Sequence, residues 1–168
     1  MRGSHGGERV STSEPDGEAI TAEGLVALKA ELYELETVGR REMGKRILAA
    51  REIGDLKENA EYHIAKEDQS HMETRIKRLR QRLRDAVVVE TRAGGGTFSF
   101  GSTAEILDEA TGVLNTWTIV GPTEANLAHG KLSSESPIAR ALMGHAAGEV
   151  VEVPTPRGRR RLRVSRLL

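Results

Sequence analysis

Two apolar seams with coiled-coil spacing, separated by a short polar segment, constrain the fold of this chain more than any other feature. The first seam advances in steps of three and four and then resumes after a blurred stretch, through Leu25, Leu28, Leu32, Leu35, Met43, Ile47, Ala50 and Ile53. The second seam contains Ala65, Met72, Ile76, Leu79, Leu83 and Ala86. Such spacing is typical of helices that bury one stripe against a partner helix.

The segment between the seams is too short to span a helix of about 30 residues, which is about 45 Å long. The two helices must therefore double back as an antiparallel hairpin, in which each covers the apolar stripe of the other. Gly39 falls inside the first helix, where glycine costs about 1 kcal/mol relative to alanine. It predicts a kink or a loosened turn at that point.

The regions on either side of the seams differ from them in character. Residues 1–20 are rich in Gly, Ser and acidic residues and contain no apolar core of a signal peptide. They predict a disordered N-terminal arm, and the first seven residues look like an expression-vector leader. The hairpin is assigned to residues 21–90, with Thr21 as the cap of its first helix.

Residues 91–168 carry strand and turn signals and predict a small α+β domain. A glycine-rich boundary at residues 93–97 precedes it. The predicted elements are a β-hairpin, a short helix opened by Ser136-Pro137 and ended by Gly144, and a last strand pair: 102–107 with 113–120, 136–144, and 148–153 with 159–168.

The composition limits the function classes. The chain has 25 basic and 25 acidic residues, no cysteine and 3% aromatic residues. Overall charge therefore does not indicate nucleic-acid binding, and any such role needs a local patch. No apolar run approaches the roughly 18 residues of a membrane span. These totals predict a soluble, cytoplasmic protein without a membrane partner.

The bend between the helices carries several acids. Gly54 allows a positive φ, and Asp55 precedes Glu58 by three residues. An Asp-x-x-Glu pattern is typical of a capping box, and both charges suit the positive end of a helix. Two oxygens at this spacing also suit Mg²⁺, especially with Glu61 as a third acid nearby. The pattern alone favours the cap, and a metal site would need further ligands from a partner.

Two basic stretches leave alternatives open. Alternation places Arg159, Arg161 and Arg163 on one face of the last strand, in a run that also includes Arg157 and Arg160. That face is either solvated or a contact for nucleic acid or a partner protein. The second helix carries Arg75, Arg78, Arg80, Arg82 and Arg84, which predict solvated flanks or, for a minority, contacts with a nucleic acid.

Several segments resemble one known family. Gly54-Asp55-Leu56-Lys57-Glu58-Asn59-Ala60-Glu61-Tyr62-His63, together with the residues around it, is similar to the tip motif of the bacterial GreA/GreB transcript-cleavage factors. Trp117-Thr118-Ile119-Val120-Gly121 and Ser136-Pro137-Ile138-Ala139-Arg140 continue the resemblance, which covers roughly residues 20–168. Leu56-Lys57 and Glu67-Asp68 favour the GreA type.

The resemblance implies an antiparallel coiled coil followed by an FKBP-like domain. It implies a monomer that is not itself an enzyme, binds bacterial RNA polymerase and inserts its coiled coil into the secondary channel. There Asp55 and Glu58 would help to hold a Mg²⁺ shared with the polymerase, which then cleaves nascent backtracked RNA. Asn59, Tyr62, Arg75 and Arg78 are the expected contacts with the partner or the RNA.

Other functions remain to be compared with this one. An inhibitory paralogue would enter the same channel, but the intact Asp55 and Glu58 argue against it. A peptidyl-prolyl isomerase is suggested only by the FKBP-like fold, which does not carry function. An inert coiled-coil adaptor has no need for acids at its tip. His63 could bind a metal, although its place in a helical first turn favours a structural role.

Overall fold

The computed structural model describes residues 17–55, 59–90 and 95–168. Its N-terminal half is a helical hairpin formed by α1 (Ala22–Glu34), a π-helical turn (Leu35–Gly39), α2 (Arg40–Glu52) and α3 (Ala60–Asp85). The helices run antiparallel, because Glu31 pairs with Arg75 whereas Arg46, farther along the first arm, pairs with the earlier Asp68. The predicted antiparallel hairpin is confirmed.

The two seams form most of the hairpin core. Buried seam residues are Leu28, Leu32, Ile47, Ala50, Ala65, Ile76 and Leu79. The prediction is wrong for Ile53, which is 71% exposed. Since α2 ends at Glu52, Ile53 lies beyond the last helical turn that faces α3.

The π-helical turn explains why the first seam loses its phase. A heptad pattern continued from Leu35 would next place apolar residues at positions 42, 46 and 49, yet Met43, Ile47 and Ala50 are the residues that face inward. A π-helical turn holds about one extra residue, which moves the seam by that single position. Gly39 ends this turn, and a Cβ there would lie 3.1 Å from the sulfur of Met72. The loosened turn predicted at Gly39 is confirmed.

The predicted N-terminal arm is too long by at least three residues. Glu18–Ile20 form strand β1, which pairs in parallel with strand β2 (Ala86–Val88) at the end of α3. Ile20 is 1% exposed and belongs to the hairpin core. Burial of an isoleucine and a strand ladder order this segment, which its polar composition alone did not indicate. Residues 1–16 of the arm lie outside the described residues.

The described part of the second half, residues 95–168, is a five-stranded mixed sheet with one α-helix and a short 3-10 helix (Leu127–His129). In the order β5-β4-β3-β7-β6, all neighbours are antiparallel except β4 and β5. The strands are β3 (Thr103–Asp108), β4 (Leu114–Val120), β5 (Lys131–Ser133), β6 (Val150–Thr155) and β7 (Gly158–Leu167). These bounds confirm the predicted β-hairpin and last strand pair, and with them the α+β class.

The short helix packs on this sheet. Helix α4 (Pro137–Leu142) begins at Ser136, whose hydroxyl accepts a hydrogen bond of 3.1 Å from the Ala139 amide. Leu142 is fully buried together with Phe98 and residues of β3, β4, β6 and β7. Gly144 follows with φ +85°, as its predicted role as a helix stop requires. No helix in the described ranges is long and apolar enough to cross a membrane.

Candidate functional site at the hairpin bend

The first helix of the hairpin ends in a glycine-dependent turn. The Ile53 amide donates to the Ala50 carbonyl at 3.3 Å, and Gly54 then adopts φ +138°. This angle confirms the predicted positive φ of Gly54. A residue with a side chain would be strained there. The turn directs the chain away from α2 and presents Asp55, an exposed residue, at the end of the hairpin.

The second helix does not begin where the Asp-x-x-Glu pattern placed it. Its N-cap is Asn59, whose side-chain oxygen accepts a hydrogen bond of 3.1 Å from the Tyr62 amide. The capping role predicted for Asp55 is therefore wrong. Helix α3 begins only at Ala60, five positions after Asp55. Glu58, the second predicted acid, lies outside the described residues.

Asn59 also closes the bend from the other side. Its side-chain amide donates to the carbonyl of Ala50 in the last turn of α2, and the residue is only 8% exposed. One side chain thus satisfies a carbonyl at the end of α2 and an amide at the start of α3. The prediction that Asn59 contacts a partner stays a prediction, although little of its surface is accessible. Its capping role was readable, because asparagine is among the preferred N-cap residues and Ala60-Glu61 are good helix formers.

The separation of the cap from the acids changes what Asp55 does in the structure. Asp55, Glu61, Ile53 and Gly54 line a shallow open depression together with Asn59. Asp55 and Glu61 are both exposed residues. Within the described ranges, no three His, Asp or Glu residues cluster closely enough to hold a metal ion. The Mg²⁺ site predicted for Asp55 and Glu58, with further ligands from a partner, stays a prediction.

Tyr62 and His63 follow in the first turn of α3. The guanidinium carbon of Arg51 lies 5.7 Å from the centre of the Tyr62 ring, and the His63 ring meets that ring edge-on at 5.6 Å. Tyr62 thereby links the end of α2 to the start of α3. Its predicted contact with RNA or polymerase stays a prediction, as does a metal-binding role for His63.

Most arginines of α3 are held by acids of the opposite helix or of β1. Arg75 donates two hydrogen bonds, of 2.9 and 2.7 Å, to one oxygen of Glu31. Arg80 pairs with Glu36, and Arg82 lies 3.6 Å from Glu18. Arg78 is exposed and makes no ion pair in the described part of the chain. Of the two predicted contact arginines, Arg78 is thus the more available to a ligand.

The basic face of the last strand is neutralised by acids of neighbouring strands. Arg163 donates to Glu109 at 3.1 and 2.6 Å, and Arg161 lies 3.5 Å from the same carboxylate. Further pairs join Arg159 to Glu152, Arg160 to Asp108 and Arg166 to Glu105. These ion pairs lower the positive potential that would attract a phosphate backbone. They favour the interpretation of this strand face as solvated over its interpretation as a nucleic-acid contact. Arg157 is exposed in the turn before β7.

Comparisons with known proteins find relatives for both halves of the chain. Residues 18–88 match a family model described as "Transcription elongation factor, N-terminal", and residues 92–167 match "Transcription elongation factor, GreA/GreB, C-term". A protein named "Transcription elongation factor GreA" from Ruegeria pomeroyi is 48% identical over 84% of this chain and 90% of its own length. Its namesake from Thioalkalivibrio sulfidiphilus is 46% identical over 83% and 89%.

The chain is also similar to solved structures. The "Crystal structure of GreA factor homolog 1 (Gfh1) protein of Thermus thermophilus" is 30% identical, with a TM-score of 0.41 over 90% of this chain and 99% of that one. Because the family models and the curated relatives cover nearly the whole described chain, it belongs to the GreA/GreB family of transcription elongation factors.

Proposed function

We propose that this transcription elongation factor binds bacterial RNA polymerase, inserts its helical hairpin into the secondary channel, and stimulates Mg²⁺-dependent cleavage of backtracked RNA. It acts as a monomer in the cytoplasm and adds ligands to the polymerase active centre instead of forming a complete one of its own. The observation that carries the proposal is the bend itself, where Asp55 is exposed on a turn that Gly54 shapes and Asn59 closes.

The dimensions of the hairpin suit this role. Helix α3 has 26 residues, which is about 39 Å at 1.5 Å per residue. An arm of this length holds its end far from the globular domain, so it can reach a buried active centre while the domain stays outside. An acid at the end of such an arm can be carried to the active centre of a partner.

The chemistry follows from the side chains at the bend. Asp55 and Glu58 would hold Mg²⁺ jointly with the polymerase and would orient the attacking water toward the phosphodiester. When bound, the ion lowers the pKa of a coordinated water and stabilises the charge that develops on the phosphoryl oxygens. Asn59 joins the last turn of α2 to the first turn of α3 beside Asp55. Tyr62, Arg75 and Arg78 remain proposed contacts, and Arg78 lies about 28 Å along α3 from Asn59, so it would meet RNA or protein well away from the reacting bond.

The competing functions fit less well. A prolyl isomerase needs an aromatic pocket, but Phe98 and Trp117 of the globular domain are buried in its core and Phe100 packs against it. An inert adaptor gives no reason for acids at the bend. An inhibitory paralogue remains the closest rival, because it would use the same hairpin and the same channel. Only the effect on cleavage separates it from the proposed factor.

The test is a stalled, backtracked elongation complex incubated with Mg²⁺, in which the length of the RNA 3′ end is followed. The unmodified protein should accelerate cleavage. Asp55→Asn and Glu58→Gln should each lower that acceleration by at least about tenfold while polymerase binding is retained. Since Asn59 is the cap, Asp55→Asn should leave the start of α3 intact, which hydrogen exchange of the Tyr62 amide measures. Glu52→Gln, at an exposed position in the last turn of α2 and outside the depression at the bend, removes a nearby charge and is the matched control. Full cleavage by the Asp55 and Glu58 variants, or inhibition by the unmodified protein, would contradict the proposal.

A further inference from the structure

The carboxylate of Glu124 joins the hairpin to the globular domain. Glu124 accepts a hydrogen bond from the Thr21 amide at 3.0 Å, a second from the Thr21 hydroxyl, and a third from the Gly121 amide at 3.2 Å. Thr21 belongs to the hairpin, whereas Gly121 and Glu124 belong to the turn after β4. The three donors come from both units, so the carboxylate ties them together.

The same contact completes the start of the first helix. Thr21 is the N-cap of α1, and its hydroxyl oxygen accepts from the Gly24 amide at 3.0 Å. That hydroxyl therefore accepts from its own helix and donates to Glu124. A negative group at a helix N-terminus is also favoured by the helix dipole. Both effects hold Glu124 against the first turn of α1.

Two glycines allow this close approach. A Cβ on Gly24 would collide with the carboxylate of Glu124, and a Cβ on Gly121 would collide with the backbone oxygen of Ala19. The first obstacle is a side chain that can move, but the second is backbone and cannot move alone. We call this contact, formed by Ala19, Thr21, Gly24, Gly121 and Glu124, the junction.

Strand β1 strengthens the junction from the hairpin side. The hydroxyl of Thr123 donates to Glu18, and the guanidinium of Arg82 on α3 lies 3.6 Å from the same carboxylate. Ile20 anchors the strand in the hairpin core. The turn of the globular domain is thus bound to a segment that is itself fixed to both helices.

We propose that Glu124 is a positioning residue that fixes the direction of the hairpin relative to the globular domain. Its consequence for RNA cleavage rests on the function proposed above. A tilt of about 5° at the base of an arm about 39 Å long moves its end by roughly 3 Å. Metal ligands must be placed within about 0.5 Å, and errors of about 1 Å cost up to about a hundredfold in rate. A loosened junction therefore lowers the effectiveness of acids that remain chemically intact.

Spin labels measure the direction of the hairpin without any polymerase. The chain has no cysteine, so Glu52→Cys near the bend and Arg157→Cys in the globular domain give one labelled pair at exposed positions. Glu52→Cys with Lys77→Cys gives a second pair within the hairpin. Glu124→Ala should broaden or shift the distance distribution of the first pair and leave the second unchanged. Glu135→Ala, an exposed acid of the same domain, is the control.

Two further variants keep the test decisive if Glu124→Ala folds poorly. Glu124→Gln retains the size of the side chain and one of its two acceptor oxygens, so it should restore most of the distance distribution. Gly121→Ala should displace β1 and broaden the distribution although Glu124 is present. An unchanged distribution between hairpin and domain in Glu124→Ala and Gly121→Ala would overturn the proposal.

Cleavage assays on the same variants then address the consequence. Glu124→Ala should lower the maximal stimulated rate by roughly tenfold or more at saturating protein, as misplaced ligands would. A full maximal rate despite a broadened distribution would overturn the positioning role. If the unmodified protein itself does not stimulate cleavage, the proposed function fails, while the distance measurements still decide whether Glu124 fixes the hairpin.

Discussion

The side chain of Asn59 can do at the bend what an aspartate at the same position cannot. Its oxygen accepts from the Tyr62 amide, and its NH₂ group donates to the Ala50 carbonyl. A carboxylate only accepts, so it could start α3 but would repel the carbonyl that ends α2. The residue is 8% exposed, and a lost partner there is not fully replaced by water.

This asymmetry gives a prediction for two substitutions. Asn59→Asp should keep the cap, lose the donor and destabilise the hairpin by about 1 kcal/mol. Asn59→Ala loses both hydrogen bonds and should cost about 2 kcal/mol. Urea unfolding measures the total, and hydrogen exchange of the Tyr62 amide should accelerate mainly in the alanine variant. Ser136→Ala, which removes the cap of α4, is the control and should leave exchange at the bend unchanged. Equal exchange at Tyr62 in both Asn59 variants would contradict the two-sided role.

Asp108 should make stability depend on pH in the acid range. The guanidinium of Arg160 holds the pKa of this carboxyl below its ordinary value of 3.8, despite the opposing effect of burial. Because the pKa is depressed in the folded state, the stabilisation is fully present above 3.8 and is lost as the pH falls below it. In urea unfolding, Asp108→Asn should therefore be less stable than the parent protein at pH 6, and the difference should shrink between about pH 4 and pH 2. A constant difference across this range would contradict the ion pair. Glu135→Gln, at an exposed position, is the control.

At the residue scale, helix caps were predicted correctly where the sequence offered a single candidate residue. Thr21 and Ser136 are the predicted N-caps, and Gly54 has the predicted positive φ. The bend was ambiguous because Asp55 and Asn59 are both good N-cap residues, four positions apart. The choice depends on how many residues the chain needs to reverse direction, and that is a property of two packed helices. The pattern around Asp55 contains no information about it.

At the scale of whole elements, ionic pairs between the hairpin helices change sign along its length. Near the base, Glu31 and Glu36 of the first arm face Arg75 and Arg80 of α3. Beyond the π-helical turn the order reverses, and Arg40 and Arg46 face Glu73 and Asp68. A helix that slipped along its partner would bring like charges together, so the reversal specifies one register.

A charge exchange tests this pairing. Arg46→Asp and Asp68→Arg should each destabilise the hairpin by about 0.5 kcal/mol, and the double variant should recover most of the loss. The pair is half exposed, with 2.5 Å between its atoms, which sets the modest size of the effect. Thermal unfolding at low and high salt measures it, since salt should weaken the coupling. The pair Glu42 and Lys45 lies within one helix and should give no coupling between the helices. Additive losses in the double variant would contradict a specific pair.

Elements with a regular pattern were predicted well, and those without one were missed. Strands β3, β4, β6 and β7 were predicted from their alternation. Strand β5, which has three residues, was not predicted. Strand β1 has only three residues, and its partner β2 lies beyond the whole hairpin in sequence. The π-helical turn has a signal in the sequence, since the apolar seam after Leu35 resumes one position late. The prediction of a loosened turn at Gly39 used only part of this signal. A one-residue slip between two regular seams predicts such a turn.

At the scale of the whole molecule, the N-terminal boundary has a measurable consequence. A chain that begins at Gly17 keeps β1, whereas a chain that begins at Thr21 loses it together with Ile20. The second truncation should cost about 2 kcal/mol or more from the loss of one buried isoleucine, and the first should cost little. Urea unfolding of both chains measures the difference, and Ile20→Ala in the full chain is the control. Equal stability of the two truncated chains would show that β1 does not contribute.

The two domains could be predicted from the sequence, but their contact could not. Glu124 stands in a turn without periodicity, and its partner Thr21 is 103 residues away. Neither residue has a local pattern that indicates the other. Close approach of Gly24 and Gly121 to the opposite unit is equally invisible in the sequence, because an unrelated turn would use glycine in the same way.

The parallel pairing of β1 with β2 also sets the order in which this molecule can be completed on the ribosome. Glu18 emerges first, but its partner Ala86 is synthesised only after both helical arms. Until then Ile20 has no complete core to enter, and the cap on Thr21 lacks Glu124 until most of the second domain has been translated. The nascent hairpin can therefore fold early, while its base closes last. A pause in translation before residue 124 leaves a folded hairpin whose direction relative to the globular domain is not yet fixed.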